Sequence, residues 1–369
     1  MASVEKRPNG QWRARWREFP SGPQRTNSFP GKLDAEQHLV RTQHDLLTGA
    51  YVDPGKARTT VEEFYKVWAV RQPWRASTRA SVATRFKIHV LPVLGARPLG
   101  SLRRGDIESW VATRKLAPST TGIALQQLSS MLEAAVGDGL IARNPARGVK
   151  RPRRDGSPVV PFTSTEVEQL LAGAAPWYAV TVVLGARCGL RHGEAAGLTV
   201  DRVDFLRRQL KVDRQLVTTK AGGLGTSFGP LKTANSYRIV PLADSTVASL
   251  AAHVRDFGTG EDGLLVHEQG HPVNAARFGY LWRQARKAAN VSATARYHDT
   301  RHTFASVLLS DGVSVAAVAE YLGDTPAVVL NTYAHLMPAD HDRARAAIEA
   351  AARHAEDSLR TSEVTQAAD

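Results

Sequence analysis

Four chemically distinctive side chains are spread over three separate segments in the C-terminal half of the 369-residue chain. Arg191 lies within the sequence GLRHGE, His298 and Arg301 lie within HDTRH, and Tyr333 stands alone further on. A lone tyrosine is usually a packing residue, so the weight of Tyr333 comes from its order and spacing behind the two arginine segments. If these side chains act together, the fold must bring three distant segments to one place.

The four side chains form a set suited to phosphate chemistry. Arginine presents a planar, permanently charged fork that grips phosphate oxygens with paired hydrogen bonds. Histidine moves protons near neutral pH, and tyrosine is one of the few side chains that can serve as an oxygen nucleophile. The set therefore indicates a site that cuts a phosphodiester through a covalent link to Tyr333.

Basic charge is concentrated in the N-terminal part of the chain. The formal net charge is +13, to which residues 1–58 contribute +4, residues 59–157 contribute +10 and residues 158–369 contribute −1. Such an excess indicates a polyanionic partner, and a merely solvated basic surface is the simpler alternative. The segments with the candidate catalytic residues lie in the nearly neutral part. The sequence therefore predicts that binding of the polyanion and its cleavage are carried out by different parts of the chain.

The hydrophobic pattern predicts a multi-domain α+β chain, and the length suffices for two or three domains. We expect a small N-terminal β-sheet module, a helical core-binding bundle, and a mainly helical catalytic domain with a β-hairpin. The predicted divisions are a β-rich module at 1–58, a helical bundle at 59–149, a linker at 150–158, a catalytic domain at 159–345, and a C-terminal helix end and tail at 346–369.

Finer predictions concern the ends of individual elements. We expect a helix over residues 34–47 capped by Asp34, and a helix from Thr60 to about residue 71. The longest helix is predicted over residues 119–139, where apolar residues line one side. Residues 209–218 and 236–242 alternate as strands, with a glycine-rich hairpin tip between them.

Two basic clusters are candidate DNA contacts. In the alternating sequence QWRARWR, the aromatic and alanine side chains share one face of a strand and the arginines share the other. The second cluster lies in the predicted linker, where it could follow a phosphate backbone or simply be solvated. The candidate residues are Arg13, Arg15, Arg17, Lys150, Arg151, Arg153 and Arg154.

The histidine pair of HDTRH also allows a different interpretation. His298 and His302 are four residues apart and would share one helix face, as in zinc hydrolases. The acid between them is Asp299 rather than glutamate, and Arg301 would place a positive charge beside the metal. A purely structural role, in which His298 and Arg301 pair or cap within the core, is a further alternative.

The ordered motifs resemble the tyrosine recombinase family, which includes phage-type integrases, over most of residues 60–340. GLRHGE matches the first arginine box, with Glu194 as its supporting acid, and HDTRH matches the His-x-x-Arg box. LKT, followed by RIVPL, is similar to the β-hairpin lysine motif and gives Lys232, with Lys220 as a weaker candidate. YLG and NTYAH match the region of the nucleophile Tyr333.

The resemblance implies a catalytic set of Arg191, Lys232, His298, Arg301 and Tyr333. The two arginines would clamp the non-bridging phosphate oxygens, and the tyrosine would form a 3′-phosphotyrosine. The lysine would protonate the departing 5′ oxygen, and His298 would accept the phenol proton or support the phosphate. No cofactor, metal or ATP is implied.

By the same resemblance, the chain is expected to integrate or excise a mobile element, phage or plasmid. Its partners would be double-stranded DNA attachment sites, three further protomers in a homo-tetramer on two sites, and a host DNA-bending protein or excision factor. A type IB topoisomerase, which relaxes DNA by swivelling, and a non-catalytic DNA-binding protein are the alternatives. Strand exchange between two sites distinguishes the recombinase from both.

One position departs from the family pattern. The family usually has histidine or tryptophan directly after the Leu-Gly pair, and this chain has Asp324. Asp324 could cap a helix over residues 325–330, could be protonated and donate to the phosphate, or could be an anion that slows the reaction. We favour the cap, because aspartate is a strong capping residue and Pro326 suits a first helical turn.

Cysteine and hydropathy patterns indicate the compartment. Cys188 is the only cysteine, so an internal disulfide and a cysteine-based zinc site are excluded. Residues 1–30 lack the apolar core of a signal peptide, and no apolar run approaches the roughly 20 residues that span a bilayer. The sequence predicts a cytoplasmic protein without a membrane partner.

Overall fold

The chain divides into two compact units, residues 1–156 and residues 157–369, each with a hydrophobic core of its own. The computed structural model describes residues 2–19, 21–48, 51–53, 55–114, 116–152, 159–218, 225–337, 345–346 and 348–353. None of the helices within these ranges has both the length and the apolar character needed to cross a bilayer. The expected multi-domain α+β class is confirmed.

A three-stranded antiparallel sheet begins the first unit. Strands β1 (Ser3–Lys6), β2 (Trp12–Arg17) and β3 (Gln24–Phe29) lie in that order, and helix α1 (Lys32–Leu47) follows. Strand side chains alternate between faces, so Ala14 and Trp16 are buried while the arginines of β2 are directed to the other face. The predicted arginine face of this strand is therefore confirmed.

A helical bundle completes the first unit. Its helices are α2 (Val61–Arg71), α3 (Ala76–Arg85), α4 (Leu91–Leu94), α5 (Arg104–Ala112) and α6 (Pro118–Gly137), and a π-helical turn over Phe86–Val90 joins α3 to α4. The core centres on aromatic and aliphatic side chains of α2, α5 and α6. The indole of the buried Trp110 donates to the carbonyl of His89 at 2.9 Å, so its one polar atom is satisfied.

The second unit is mainly helical. Its helices are α7 (Ser164–Gly173), α8 (Val180–Ala186), α9 (His192–Ala196), α10 (Asp244–Phe257), α11 (Ala275–Ala288), α12 (Tyr297–Ser310), α13 (Val315–Leu322) and α14 (Pro326–Tyr333). Every residue of α8 is buried, which makes this helix the centre of the unit. Gly185 of α8 faces Thr300 of α12 so closely that a Cβ would collide with it, and α12 thereby lies directly on α8.

Short strands flank the helices of the second unit. The strands are β4 (Val203–Asp204), β5 (Gln209–Val212), β6 (Gln215–Thr218), β7 (Thr226–Gly229), β8 (Arg238–Pro241), β9 (His267–Glu268) and β10 (His271–Pro272). They form an antiparallel sheet β4-β5-β8 and two hairpins, β6-β7 and β9-β10. The register of the sheet pairs Val212 with Arg238. Arg238 and Val240 of β8 are buried, so these two side chains face the core.

The element predictions succeed where local signals are strong. Thr60 caps α2, since its hydroxyl accepts from the backbone N–H of Glu63 at 3.2 Å and the Glu63 carboxylate accepts in return from the N–H of Thr60 at 2.8 Å. The expected cap at Asp34 is wrong, because α1 begins at Lys32 and Asp34 lies in its first turn. The predicted strand 209–218 is two strands, interrupted at Asp213 and Arg214.

The predicted boundary between the β-rich module and the helical bundle falls inside the first compact unit. The sheet and the bundle fall within one unit, so the boundary between residues 58 and 59 stays a prediction. Most of the predicted linker, residues 153–158, and most of the predicted tail lie outside the described residues.

We expect Leu128→Ala to destabilise the bundle by about 2–5 kcal/mol, because Leu128 is fully buried on α6 and its removal leaves a cavity. Ile123 lies on the same helix with 45% of its surface exposed, so Ile123→Ala serves as the matched control. Urea unfolding of both variants measures the difference. Equal losses of stability would contradict the assignment of the α6 core face.

Candidate active site

Arg191 is positioned by a tight turn between α8 and α9. Gly189 in this turn has φ +66°, and a Cβ there would lie 2.5 Å from the ring of Phe304, so both conformation and space require glycine. Arg191 then precedes α9, where its backbone N–H donates to the Glu194 carboxylate at 3.0 Å. The Arg191 guanidinium is half-buried and also pairs with Glu194, at 3.0 Å.

Glu194 joins Arg191 to a second arginine, Arg238 of β8. The Glu194 carboxylate lies 2.7 Å from Nη2 of Arg238, and both side chains are almost completely buried. Burial by itself would raise the pKa of Glu194, but the hydrogen bond and charge of Arg238, together with the charge of Arg191, lower it. Glu194 is therefore ionised at neutral pH and fixes both guanidinium groups.

Arg301 of α12 is one of the largest fully buried side chains of the described chain. Its guanidinium donates to the carbonyl of Gly189 at 2.6 Å and to the carbonyl of Leu322, at the ends of two other segments. Burial, and the nearby charge of Arg191, lower the pKa of Arg301 to about 10, which leaves it charged at neutral pH. Three segments that are distant in sequence thus meet at Arg301.

Asp324 forms ion pairs with both arginines of the predicted phosphate clamp. One carboxylate oxygen lies 2.6 Å from Nη2 of Arg191, and the other lies 2.6 Å from Nη2 of Arg301. The favoured expectation that Asp324 caps α14 is wrong, because Thr325 is the N-cap and its hydroxyl accepts from the N–H of Val328. Helix α14 begins at Pro326, so its N-cap is Thr325, and the Asp324 side chain pairs with the two arginines instead.

Tyr333 ends α14 beside α12, and its side chain is buried, with 4% of the residue exposed. The phenol oxygen lies 2.6 Å from Nδ1 of His302, which can accept its proton when the imidazole is neutral. Burial raises the pKa of Tyr333 to about 12, a shift that Arg301 and Arg191 oppose and Asp324 reinforces. The nucleophile candidate is therefore a protonated phenol with a proton acceptor in contact.

The two histidines of HDTRH occupy neighbouring positions on α12, with ring centroids 4.8 Å apart. Desolvation lowers the pKa of His298, and the positive neighbours His302, Arg301 and Arg191 lower it further. Burial also lowers the pKa of His302. Both imidazoles are thus neutral at pH 7, but the hydrogen bond to the Tyr333 phenol is made by His302 and not by His298.

Lys232 makes no hydrogen bond or ion pair with this cluster among the described residues. It is exposed in the segment between β7 and β8. Lys220, the weaker candidate, lies outside the described residues. The structure therefore unites four of the five predicted catalytic residues in one neighbourhood.

The predicted DNA-contacting residues are distributed over the first unit. Arg13 and Arg15 both pair with Glu5 of the neighbouring strand, and the more exposed Arg17 donates to the carbonyl of Gly22. Lys150 and Arg151 are exposed before the end of the described stretch, and Arg153 and Arg154 lie outside the described residues. Because Arg13 and Arg15 are paired with Glu5, their guanidinium groups are less available to bind a phosphate than the sequence alone suggests.

Two members of the cluster were missed as functional residues. His302 follows His298 by one helical turn, and that spacing was interpreted only as a possible metal pair. The motif RIVPL contains Arg238 without indicating a role for it, although Arg238 stands at an inward position of a strand whose burial alternates. A charged residue at an inward strand position is the signal that could have identified it.

Comparisons with known proteins agree with this geometry. Residues 161–340 match the profile of the Phage integrase family. The prophage phiRv2 integrase of Mycobacterium tuberculosis (strain H37Rv) is 24% identical over 337 residues, which cover 87% of this chain and 88% of that protein. A Tn1549 transposon integrase in complex with circular intermediate DNA shares the fold with a TM-score of 0.67 and 24% identity, over 79% of this chain and 99% of that one.

A structure with lower sequence identity shares the same fold. A lambda integrase tetramer bound to a Holliday junction aligns with a TM-score of 0.57 and 15% identity, over 88% of this chain and 94% of that chain. The fold and the arginine–tyrosine cluster define a DNA strand-transfer enzyme that uses a tyrosine. Residues 161–340 therefore carry the Phage integrase domain, and the chain is a tyrosine-type site-specific recombinase.

Because the carboxylate of Glu194 is buried against Arg238, its neutralisation leaves a buried guanidinium without its counter-ion. We expect Glu194→Gln to lower the free energy of unfolding by about 3–5 kcal/mol. Glu168→Gln is the control, since Glu168 pairs with Arg187 at the surface and surface pairs contribute little. Chemical denaturation compares the two variants. An unchanged free energy of unfolding in Glu194→Gln would show that the buried ion pair is not needed for stability.

Proposed function

We propose that the chain integrates or excises a mobile element by cutting and rejoining DNA through a 3′-phosphotyrosine on Tyr333. One observation carries the proposal: the guanidinium groups of Arg191 and Arg301 converge on a single anionic group, Asp324, with each contact at 2.6 Å. A scissile phosphate needs the same convergent arrangement of donors for its non-bridging oxygens.

In the proposed cleavage step, the phenol oxygen of Tyr333 attacks phosphorus and the bond to the 5′ oxygen breaks. The phenol proton passes to Nδ1 of His302, which lies 2.6 Å from that oxygen. Arg191 and Arg301 offset the charge that develops on the phosphate oxygens. The ester bond energy is kept in the phosphotyrosine, so a 5′ hydroxyl from a second strand reverses the step.

The remaining roles follow from the family pattern. Lys232 protonates the departing 5′ oxygen, and this role requires the exposed segment after β7 to approach the phosphate when DNA is bound. His298, whose imidazole adjoins His302, supports the phosphate and does not take the phenol proton. The acceptor role thus moves from His298 to its neighbour one helical turn later.

The proposed partner is double-stranded DNA carrying attachment sites. The excess of positive charge in residues 1–157 supports gripping of the phosphate backbone by the first unit. The arginine face of β2 supports an accessory arm-site contact through Arg13, Arg15 and Arg17. Since the Tn1549 and lambda integrases were solved on DNA, a DNA-bound form of this chain is the natural inference.

Assembly and location complete the proposal. Four protomers act on two sites, in line with the lambda integrase tetramer on a Holliday junction. A host DNA-bending protein or an excision factor sets the direction, and the reaction takes place in the cytoplasm. A topoisomerase would instead relax supercoiled DNA that lacks an attachment site, so an assay on such DNA separates the two activities.

Tyr333→Phe removes the nucleophilic oxygen, so covalent cleavage should vanish while DNA binding persists. The substrate is duplex DNA spanning the junction between the element that carries this gene and its host chromosome. Denaturing gels detect the covalent protein–DNA complex, and band-shift assays measure binding. Tyr280→Phe changes an exposed tyrosine and is the matched control. A covalent complex formed by the Tyr333→Phe variant would refute the assignment.

The pH dependence of cleavage tests the proton acceptor. Burial lowers the pKa of His302 below the ordinary value of 6.5, so neutral imidazole persists as the pH falls to that value and is lost below it. Single-turnover cleavage should therefore decline only on the acidic side of pH 6.5. His302→Gln should slow cleavage roughly 10²-fold or more and abolish that acidic limb.

His298→Gln is the comparison for this experiment, because it removes the adjacent imidazole and leaves His302 in place. We expect it to slow cleavage while keeping the acidic limb. The opposite result, in which the limb disappears only in His298→Gln, would return the proton-acceptor role to His298.

A further inference from the structure

Asp324 occupies the position at which the proposed function places the scissile phosphate. Its two carboxylate oxygens are shared between Arg191 and Arg301, one oxygen to each Nη2, at 2.6 Å. Contacts of this length between charged groups are strong hydrogen bonds. A phosphodiester likewise presents two anionic oxygens, so it and the carboxylate are competing ligands for the same two guanidinium groups.

We propose that Asp324 is an internal phosphate surrogate, which closes the arginine clamp in the DNA-free chain and must be displaced when the scissile phosphate enters. The inference rests on the proposed function of Arg191 and Arg301 as the phosphate clamp. It adds a residue that regulates access to the clamp, at the position where the family pattern has histidine or tryptophan.

The backbone around Asp324 is fixed from both sides. Gly323 has φ +62°, and a Cβ there would lie 2.9 Å from the carbonyl oxygen of Asn235. The N–H of Asp324 donates to the carbonyl of Ala319 at 3.0 Å, which closes the end of α13. Thr325 caps the next helix. Displacement of the carboxylate must therefore come from rotation of the side chain.

The side chain has room for this rotation. About a quarter of the Asp324 side chain is exposed, at 26%, whereas the Arg301 side chain it contacts is 1% exposed. Arg301 is also held by the carbonyls of Gly189 and Leu322, so it keeps two of its partners when the carboxylate leaves. Arg301 is thus the fixed part of the clamp, Arg191 keeps its ion pair with Glu194, and the aspartate is the movable part.

Charge explains why the surrogate restrains the site. The cluster contains three guanidinium groups, from Arg191, Arg238 and Arg301, and two carboxylates, from Glu194 and Asp324. Removal of the Asp324 charge makes the net charge of the cluster more positive by one unit. It also leaves the guanidinium groups of Arg191 and Arg301 without the anion that they share. The Asp324 carboxylate also raises the pKa of Tyr333, so it opposes ionisation of the nucleophile before DNA arrives.

The test measures binding of orthovanadate and of inorganic phosphate to the full DNA-free chain by calorimetry. In Asp324→Asn, the competing charge is gone while the side-chain shape remains, and we expect the Kd for the anion to fall by about tenfold or more. Glu320→Gln is the matched control, since Glu320 is an exposed acid four residues earlier and its neutralisation changes net charge equally. The control should leave the Kd unchanged.

A second neutral variant and a conservative one separate charge from folding. Asp324→Ala should also bind the anion more tightly, and Asp324→Glu, which keeps the charge, should bind it as weakly as the parent chain. Melting temperatures without anion establish that each variant is folded. Arg191→Ala added to Asp324→Asn should abolish the gain, which places the bound anion in the clamp.

The outcomes distinguish this inference from the proposed function. Unchanged or weaker anion binding in folded Asp324→Asn and Asp324→Ala would overturn the surrogate and make Asp324 a residue that only positions the arginines. The proposed function fails separately, if the parent chain forms no covalent complex through Tyr333 on junction DNA. Tighter anion binding in the neutral variants would still support the surrogate in that case.

Discussion

The buried contact between Glu194 and Arg238 is the interaction on which the site depends. Separating two charges from water is costly, so each is stable in the core only while the other is present. Glu194 also orients Arg191, and Arg238 donates to the carbonyl of Tyr321 at 2.7 Å near the end of α13. One ion pair thereby ties α9, β8 and α13 together.

Arg301 extends this network to α12. Its donors reach the carbonyls of Gly189 and Leu322, and a positive charge at the C-terminal end of α13 is favourable. Both neighbouring turns rely on glycine with positive φ, at Gly189 and Gly323, so that the carbonyls can converge on one guanidinium. The proposed phosphate clamp is therefore preorganised by protein contacts, which is the arrangement that electrostatic catalysis requires.

The proposed nucleophile, in contrast, is held in its unreactive, protonated form. Tyr333 is buried and protonated, with its pKa raised to about 12, and its phenol rests on His302. Under the proposed function, a preformed clamp with a restrained nucleophile couples cleavage to the binding of DNA. Asp324 contributes to both conditions, because it contacts the clamp and adds negative charge near the phenol.

The sequence by itself determined the helical bundle, the arginine face of β2, the cap at Thr60 and the ordered set Arg191, His298, Arg301 and Tyr333. These depend on local periodicity, capping chemistry and the order of the motifs, which are written along the chain. Only the tertiary structure decided that His302 contacts the phenol, that Arg238 neutralises Glu194 and that Asp324 joins two arginines instead of capping a helix. Each of those pairings joins residues that are at least 23 positions apart in the sequence, and the contact between His302 and Tyr333 requires α14 to lie beside α12. Side-chain partners of this kind are chosen by packing and desolvation, and no local pattern specifies them.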